Sequence, residues 1–185
     1  DKAVADYTRA TELKPDYAGA YFNLGTAYQD WKKFPEAIAA YQQAIKYDPK
    51  NADPYYNSGL AYEKMGRVDE AIAAYTRTIE VNPKYANAYN NRGNVYRKEK
   101  QWALALDDFN AALALNPKHY HSLMNKASVF EKQNRYSEAL ETVNRLMEIK
   151  SDEPILYVRR CTVLHYLGRD DDALADALKA VDLAP

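Results

Sequence analysis

The sequence contains little of what a catalytic or cross-linked protein is built from. A single cysteine among 185 residues, Cys161, excludes an internal disulfide and fits a reducing compartment. The three histidines, His119, His121 and His165, belong to no metal or nucleophile motif. Cys161 and His165 stand one helical turn apart, but the pattern offers them no further ligand, so no cofactor and no metal are expected. No glycine-rich phosphate loop occurs. Charge of neither sign is in surplus: 25 Lys and Arg against 26 Asp and Glu leave a formal net charge of -1. There is thus no overall field to draw nucleic acid or an anionic membrane, and recognition has to come from local patches. No apolar run approaches the roughly 20 residues that span a bilayer. Asp1 to Asp6 lack the basic start and apolar stretch of a secretory signal, which makes the cytoplasm the expected location.

What the sequence does have is a period. Apolar residues make up 47% of it, enough for a substantial core, and they recur at a fixed step of 34. Gly25, Gly59 and Gly93 keep that step, as do Tyr21, Tyr55 and Tyr89, and Tyr28, Tyr62 and Tyr96, continued by Phe130. Ala37, Ala71, Ala105, Ala139 and Ala173 keep it too, with Pro15, Pro49, Pro83 and Pro117, and with Asn23, Asn57, Asn91 and Asn125. In order along each unit these give an aromatic, Gly, Tyr, Ala, an aromatic, then Pro.

That series resembles the tetratricopeptide-repeat signature at every landmark, over the whole chain. The resemblance implies an all-α fold: a right-handed superhelical solenoid of antiparallel helix pairs, forming one domain over 1–185. Residues 1–17 supply a half repeat, its second helix only; full repeats follow at 18–51, 52–85, 86–119, 120–153 and 154–185.

Each landmark has a physical task. Tyr55, Ser58, Gly59 and Tyr62 recur at steps of 3, 1 and 3, one stripe of a 3.6-residue helix, which packs on neighbouring helices. Gly59 and Ala71, with their equivalents, are small where helices cross closely. Gly66, Gly168 and Asn134 suit the left-handed conformation that ends a first helix; Lys32 and Lys100 occupy the same slot at a cost. Pro35 suits the first turn of a second helix, Asp69 and Ser137 are expected N-caps, and Pro49, Pro83 and Pro117 stop each second helix.

Ten of the 17 tyrosines (7, 21, 28, 41, 55, 62, 75, 89, 96 and 157) fall on packing positions. Core packing therefore accounts for the tyrosine excess, rather than a base-stacking surface. Toward the C-terminus the pattern drifts: Ala127 and Cys161 stand in the glycine slot, Ser151 in the proline slot and Leu164 in the tyrosine slot, from which an altered packing angle is expected. A half unit opens the chain and no polar capping helix follows Ala177 to Pro185. Both ends are thus expected to expose apolar faces, as in a piece of a longer protein or one that self-associates end to end.

In tetratricopeptide repeats the remaining stripe of each first helix lines the inner wall, where extended partners lie. Here Asn87, Asn90, Asn94 and Arg97 fall on it at steps of 3, 4 and 3, joined by Asn91 and Lys98. So many asparagines lower helix propensity and packing does not need them, which points to recognition. Asn23, Asn57, Asn91 and Asn125 resemble the asparagine ladder in the superhelical arm of O-linked N-acetylglucosamine transferase, each amide offering a donor and an acceptor to a peptide backbone. The competing reading is that each bonds to the adjacent repeat. Asn94, Asn125 and Arg159 match three slots of the carboxylate clamp of co-chaperone repeats, but Asn90 and Ile155 replace its lysines, which argues against a full clamp. Arg97, Lys98, Lys132 and Arg159 still make the C-terminal half of the groove basic, fit for an acidic or carboxylate-bearing protein segment. The expected activity is non-catalytic peptide binding; the alternatives are an oligomerising scaffold and the targeting arm of a larger enzyme.

Overall fold

The computed structural model describes residues 2–184, and among them the chain forms eleven α-helices and no strand. In order these are α1 (Lys2–Leu13), α2 (Ala18–Asp30), α3 (Phe34–Tyr47), α4 (Asp53–Lys64), α5 (Val68–Val81), α6 (Ala86–Lys98), α7 (Trp102–Leu115), α8 (Tyr120–Lys132), α9 (Tyr136–Ile149), α10 (Pro154–Tyr166) and α11 (Asp170–Leu183). The even-numbered helices are the first helices of the repeats, and they begin within one residue of the positions read from the periodicity. The chain packs as two compact units, Asp1–Val95 and Tyr96–Pro185, with α6 running across the boundary.

The turn inside each repeat is built the same way five times. Lys32, Gly66, Lys100, Asn134 and Gly168 all take positive φ, between 57° and 71°. The residue after each sends its N–H back to the tyrosine-slot carbonyl: Lys33 to Tyr28 at 2.9 Å, Arg67 to Tyr62 at 3.0 Å, Gln101 to Tyr96 at 2.9 Å, Arg135 to Phe130 at 2.9 Å and Arg169 to Leu164 at 3.0 Å. This is the Schellman closure, which satisfies carbonyls the helix end leaves without partners. The two lysines accept the left-handed region at about 1 kcal/mol each, a cost glycine avoids.

Second helices start earlier than the expected caps. Arg67 and Arg135, not Asp69 and Ser137, are the N-cap residues of α5 and α9, and neither uses its side chain as a cap. The left-handed residue aims the chain directly into the helix, so Asp69 and Ser137 fall in its first turn. There Asp69 meets the positive end of the helix dipole, while Arg67 pairs with Glu70 at 2.6 Å and Arg135 with Glu138 at 2.7 Å. Pro35 does occupy the first turn of α3.

Between repeats the chain turns at Asp48-Pro49, Asn82-Pro83 and Asn116-Pro117. In each the acid or amide oxygen accepts the N–H two residues on, at 3.3, 3.1 and 3.1 Å, while the proline blocks a further helical turn.

The core of the first unit includes Ala71, Tyr75 and Val95, packed with Tyr56, Leu60, Tyr62, Val68 and Ile72. A Cβ built on Gly59 would lie 2.5 Å from the Tyr75 ring, and one on Gly25 2.5 Å from Tyr41; both rings are fully buried. In the second unit separate clusters form around Phe109 and Val129, around Leu123, Leu146 and Leu156, and around Phe130 and Val163. Where Ala127 replaces glycine, the ring slot on the second helix holds Val143, smaller in step, and both residues are fully buried. Interior packing tolerates a methyl added on one side when volume is removed opposite it.

Candidate functional site

The ten residues expected to recognise a partner all lie on first helices. Asn23 (α2), Lys98 (α6) and Lys132 (α8) are exposed; Asn57 (α4), Asn91, Asn94 and Arg97 (α6), Asn125 (α8) and Arg159 (α10) are half-buried; Asn90 (α6) is buried. Asn90 Nδ2 donates to Asn91 Oδ1 at 3.0 Å, and Asn91 Nδ2 donates to the Tyr56 hydroxyl of the preceding repeat at 2.9 Å. Tyr56 is held between Tyr75 and Tyr85, at centroid distances of 5.8 and 4.9 Å, and burial raises its pKa above the ordinary phenol value. Asn91 is thereby tied to the adjacent repeat.

Within the second unit a cleft of about 630 Å³ opens between α8 and α10 over the turn into α9. Its lining contains two of the expected residues, Lys132 and Arg159, with Met124, Glu131, Tyr136, Ile155, Val158, Thr162 and Tyr166 among the others. Arg159 is not a loose cation there. Its Nε lies 2.7 Å from Glu131 Oε1, and Nη1 donates to the Met124 carbonyl at 3.3 Å, so its charge is balanced within the wall. Lys132, by contrast, is exposed and has no ion-pair partner among the described residues. Tyr136 and Tyr166 stack at 4.6 Å with 6° between their planes and close one side.

A cleft of about 570 Å³ in the first unit is lined by Gln29, Asp30, Lys32, Phe34, Leu60 and Lys64. Advancing each by three repeat lengths gives Glu131, Lys132, Asn134, Tyr136, Thr162 and Tyr166, every one of which lines the cleft in the second unit. The opening is thus a property of the repeat geometry, and its chemistry varies with the side chains each repeat brings. Glu131, Tyr136 and Tyr166 escape a reading by single positions, and the signal that finds them is this register; Val158, whose counterpart Tyr56 does not line the first cleft, is found only in the structure.

Two of the three histidines bond to neighbouring groups. His119 caps α8: its Nδ1 accepts the Ser122 N–H at 3.2 Å, and burial, with His121 nearby, lowers its pKa. His165 Nδ1 lies 2.8 Å from Asp170, and Cys161 is half-buried. Among the described residues no three His, Cys, Asp or Glu side chains cluster as metal ligands, and no helix is long and apolar enough to cross a membrane.

These features define an α-helical repeat protein assembled from 34-residue helix pairs. A family profile described as TPR repeat matches residues 1–30 and 32–66, and one described as tetratricopeptide repeat matches 56–119 and 92–154. The chain belongs to the tetratricopeptide-repeat family. Among solved structures it is similar in fold to YrrB, described as a TPR protein with an unusual peptide-binding site. Identity there is 22% and the TM-score 0.79, over 97% of this chain and 92% of that one. It is also similar to MamA from Desulfovibrio magneticus RS-1 (17% identity, TM-score 0.80, 90% and 94% covered). A tetratricopeptide-repeat protein from Parabacteroides merdae is a third (24%, 0.78, 99% and 73%). At such identities the likeness is one of fold. No protein with a curated description matches the chain in sequence.

Proposed function

We infer that the chain is a non-catalytic interaction module that holds an extended segment of another protein along the face of its first helices. The observation that carries this reading is the recurrence of one cleft, in register, in each unit, with Lys132 and Arg159 in the wall of the second. Each opening suits a side chain presented from an extended backbone. Asn23, Asn57, Asn91 and Asn125 serve as an asparagine ladder of the kind seen in the glycosyltransferase arm. An amide has two donors and two lone pairs, so Asn91 retains bonding capacity beyond Tyr56 and Asn90. Arg97, Lys98 and Lys132 bias the partner toward acidic segments. YrrB, with the same fold, is described as having a peptide-binding site, which is in keeping with this reading.

The test uses peptides selected on the protein from a random twelve-residue phage library. Substituting Asn57, Asn91 and Asn125 by Ala weakens the selected peptides by about 1 kcal/mol or more per lost buried bond while circular dichroism stays helical. Unchanged affinity contradicts the ladder.

A second reading, a self-associating scaffold, is favoured by α11, where Leu174, Leu178 and Val181 are exposed along one face. Light scattering that shows a monomer at every concentration rejects it.

A further inference from the structure

The two register-related clefts differ in chemistry, and the difference identifies what the second accepts. In the first unit Asp30, Lys32 and Lys64 line the cleft beside Gln29, Phe34 and Leu60, so charged residues make up half of its lining. In the second, the α10 wall presents Ile155, Val158, Thr162 and Tyr166 at steps of 3, 4 and 4, a single face of the helix. Ile155 is 57% exposed, Val158 50% and Tyr166 61%. The corresponding stripe of α6 reads Asn87, Asn90, Asn94 and Lys98. Large apolar side chains left in water beside an open cleft mark a contact surface, because covering them removes apolar area from water.

Charge selects the occupant further. The ionic residues of the lining are Glu131, Lys132 and Arg159. Glu131 and Arg159 neutralise each other across 2.7 Å, which leaves Lys132 as a single uncompensated cation at the edge of an apolar cavity. A bare cation beside apolar walls favours an anion carried next to an apolar group.

We propose that this cleft is an anchor for a partner segment in which a branched aliphatic or aromatic side chain lies within two residues of an Asp or Glu. The apolar group enters between Val158, Ile155 and the Tyr136–Tyr166 stack, and the carboxylate meets the Lys132 ammonium. The assignment rests on the peptide-binding reading above and adds to it a position and a side-chain preference.

The experiment pans a random twelve-residue phage library against the whole chain, then measures the selected peptides by fluorescence anisotropy against three proteins: unaltered, Val158→Asp and Lys132→Glu. Both substituted side chains are already in water, so the fold is retained, with circular dichroism as the check. The expected result is enrichment of an apolar residue beside an acidic one, at least tenfold weaker binding to Val158→Asp, and a shift of preference to the Asp-to-Lys version of each peptide with Lys132→Glu. Peptides that bind but ignore Val158→Asp overturn the anchor while leaving the peptide-binding reading standing. Failure to enrich any peptide overturns that reading as well. Loss with Val158→Asp but indifference to Lys132→Glu overturns the acidic preference. If the unaltered chain is a dimer that Val158→Asp disperses, the occupant is a second copy and the proposal is wrong.

Discussion

Gly59 and Tyr75 are in contact so close that the glycine's missing side chain is what makes room for the ring: a Cβ there would sit 2.5 Å from Tyr75 Cε1. Tyr75 is fully buried and its hydroxyl donates to Glu63 at 2.6 Å, which anchors the far end of the ring. The ring cannot swing away without losing that bond. Gly59→Ala gains about 1 kcal/mol of helix propensity but overpacks a fixed ring at about 1–3 kcal/mol. The expected outcome is net destabilisation, read as a lower denaturation midpoint. Gly66→Ala, at φ 71° with open space around it, is strained through its backbone alone.

Asn91 and Tyr56 join consecutive first helices through one hydrogen bond. Removing the acceptor with Tyr56→Phe leaves the Asn91 amide without its partner hydroxyl. A double-mutant cycle with Asn91→Ala is expected to give a coupling of about 0.5–1.5 kcal/mol, measured by urea denaturation. Zero coupling means that the two side chains act independently.

Arg160 and Asp176 form a two-point ion pair, Nε to Oδ2 at 2.6 Å and Nη2 to Oδ1 at 2.7 Å, with Asp176 buried and Arg160 partly in water. Arg160→Leu strands a buried carboxylate. We expect a loss of about 3 kcal/mol, the lower end for a broken buried pair, concentrated in the last repeat because solenoid stability is local. Hydrogen exchange then accelerates in α10 and α11. Arg67→Ala, which breaks an exposed pair with Glu70, leaves exchange unchanged.

His119 gives the protein a pH-dependent element. As a lowered pKa means that the folded state holds the neutral ring, the unfolded chain binds the proton more readily. Stability from this group is therefore complete above the unfolded value near 6.5 and falls as pH drops from there through the folded pKa. Protonation also removes the Nδ1 lone pair that accepts the Ser122 N–H. His119→Asn, an N-cap that does not titrate, is expected to show a smaller decrease in melting temperature between pH 7.5 and 5.5 than the unaltered chain.

The fold was legible because repetition multiplies each weak signal. A glycine in a helix means little, whereas three at one spacing, each followed by an aromatic slot on the next helix, locate a crossing. The left-handed turns were readable even at Lys32 and Lys100 for the same reason. The caps were not: Asp69 and Ser137 have suitable side chains, but the preceding positive-φ residue starts the helix two positions earlier. His119 as a cap is foreshadowed only by Ser122 three residues on. At the site, the stripe of first-helix residues follows from helical spacing, but the Arg159–Glu131 pair does not. It joins two repeats at a separation that is not a multiple of 34, so self-comparison of the sequence passes over it.

The most direct test of the central claim, that partners lie along the first helices, is amide NMR of the whole chain titrated with the library-selected peptides. The account predicts shifts concentrated on α2, α4, α6, α8 and α10, with Asn57, Asn91, Asn125 and Lys132 among them. Shifts confined to the second helices α3, α5, α7, α9 and α11 would contradict it.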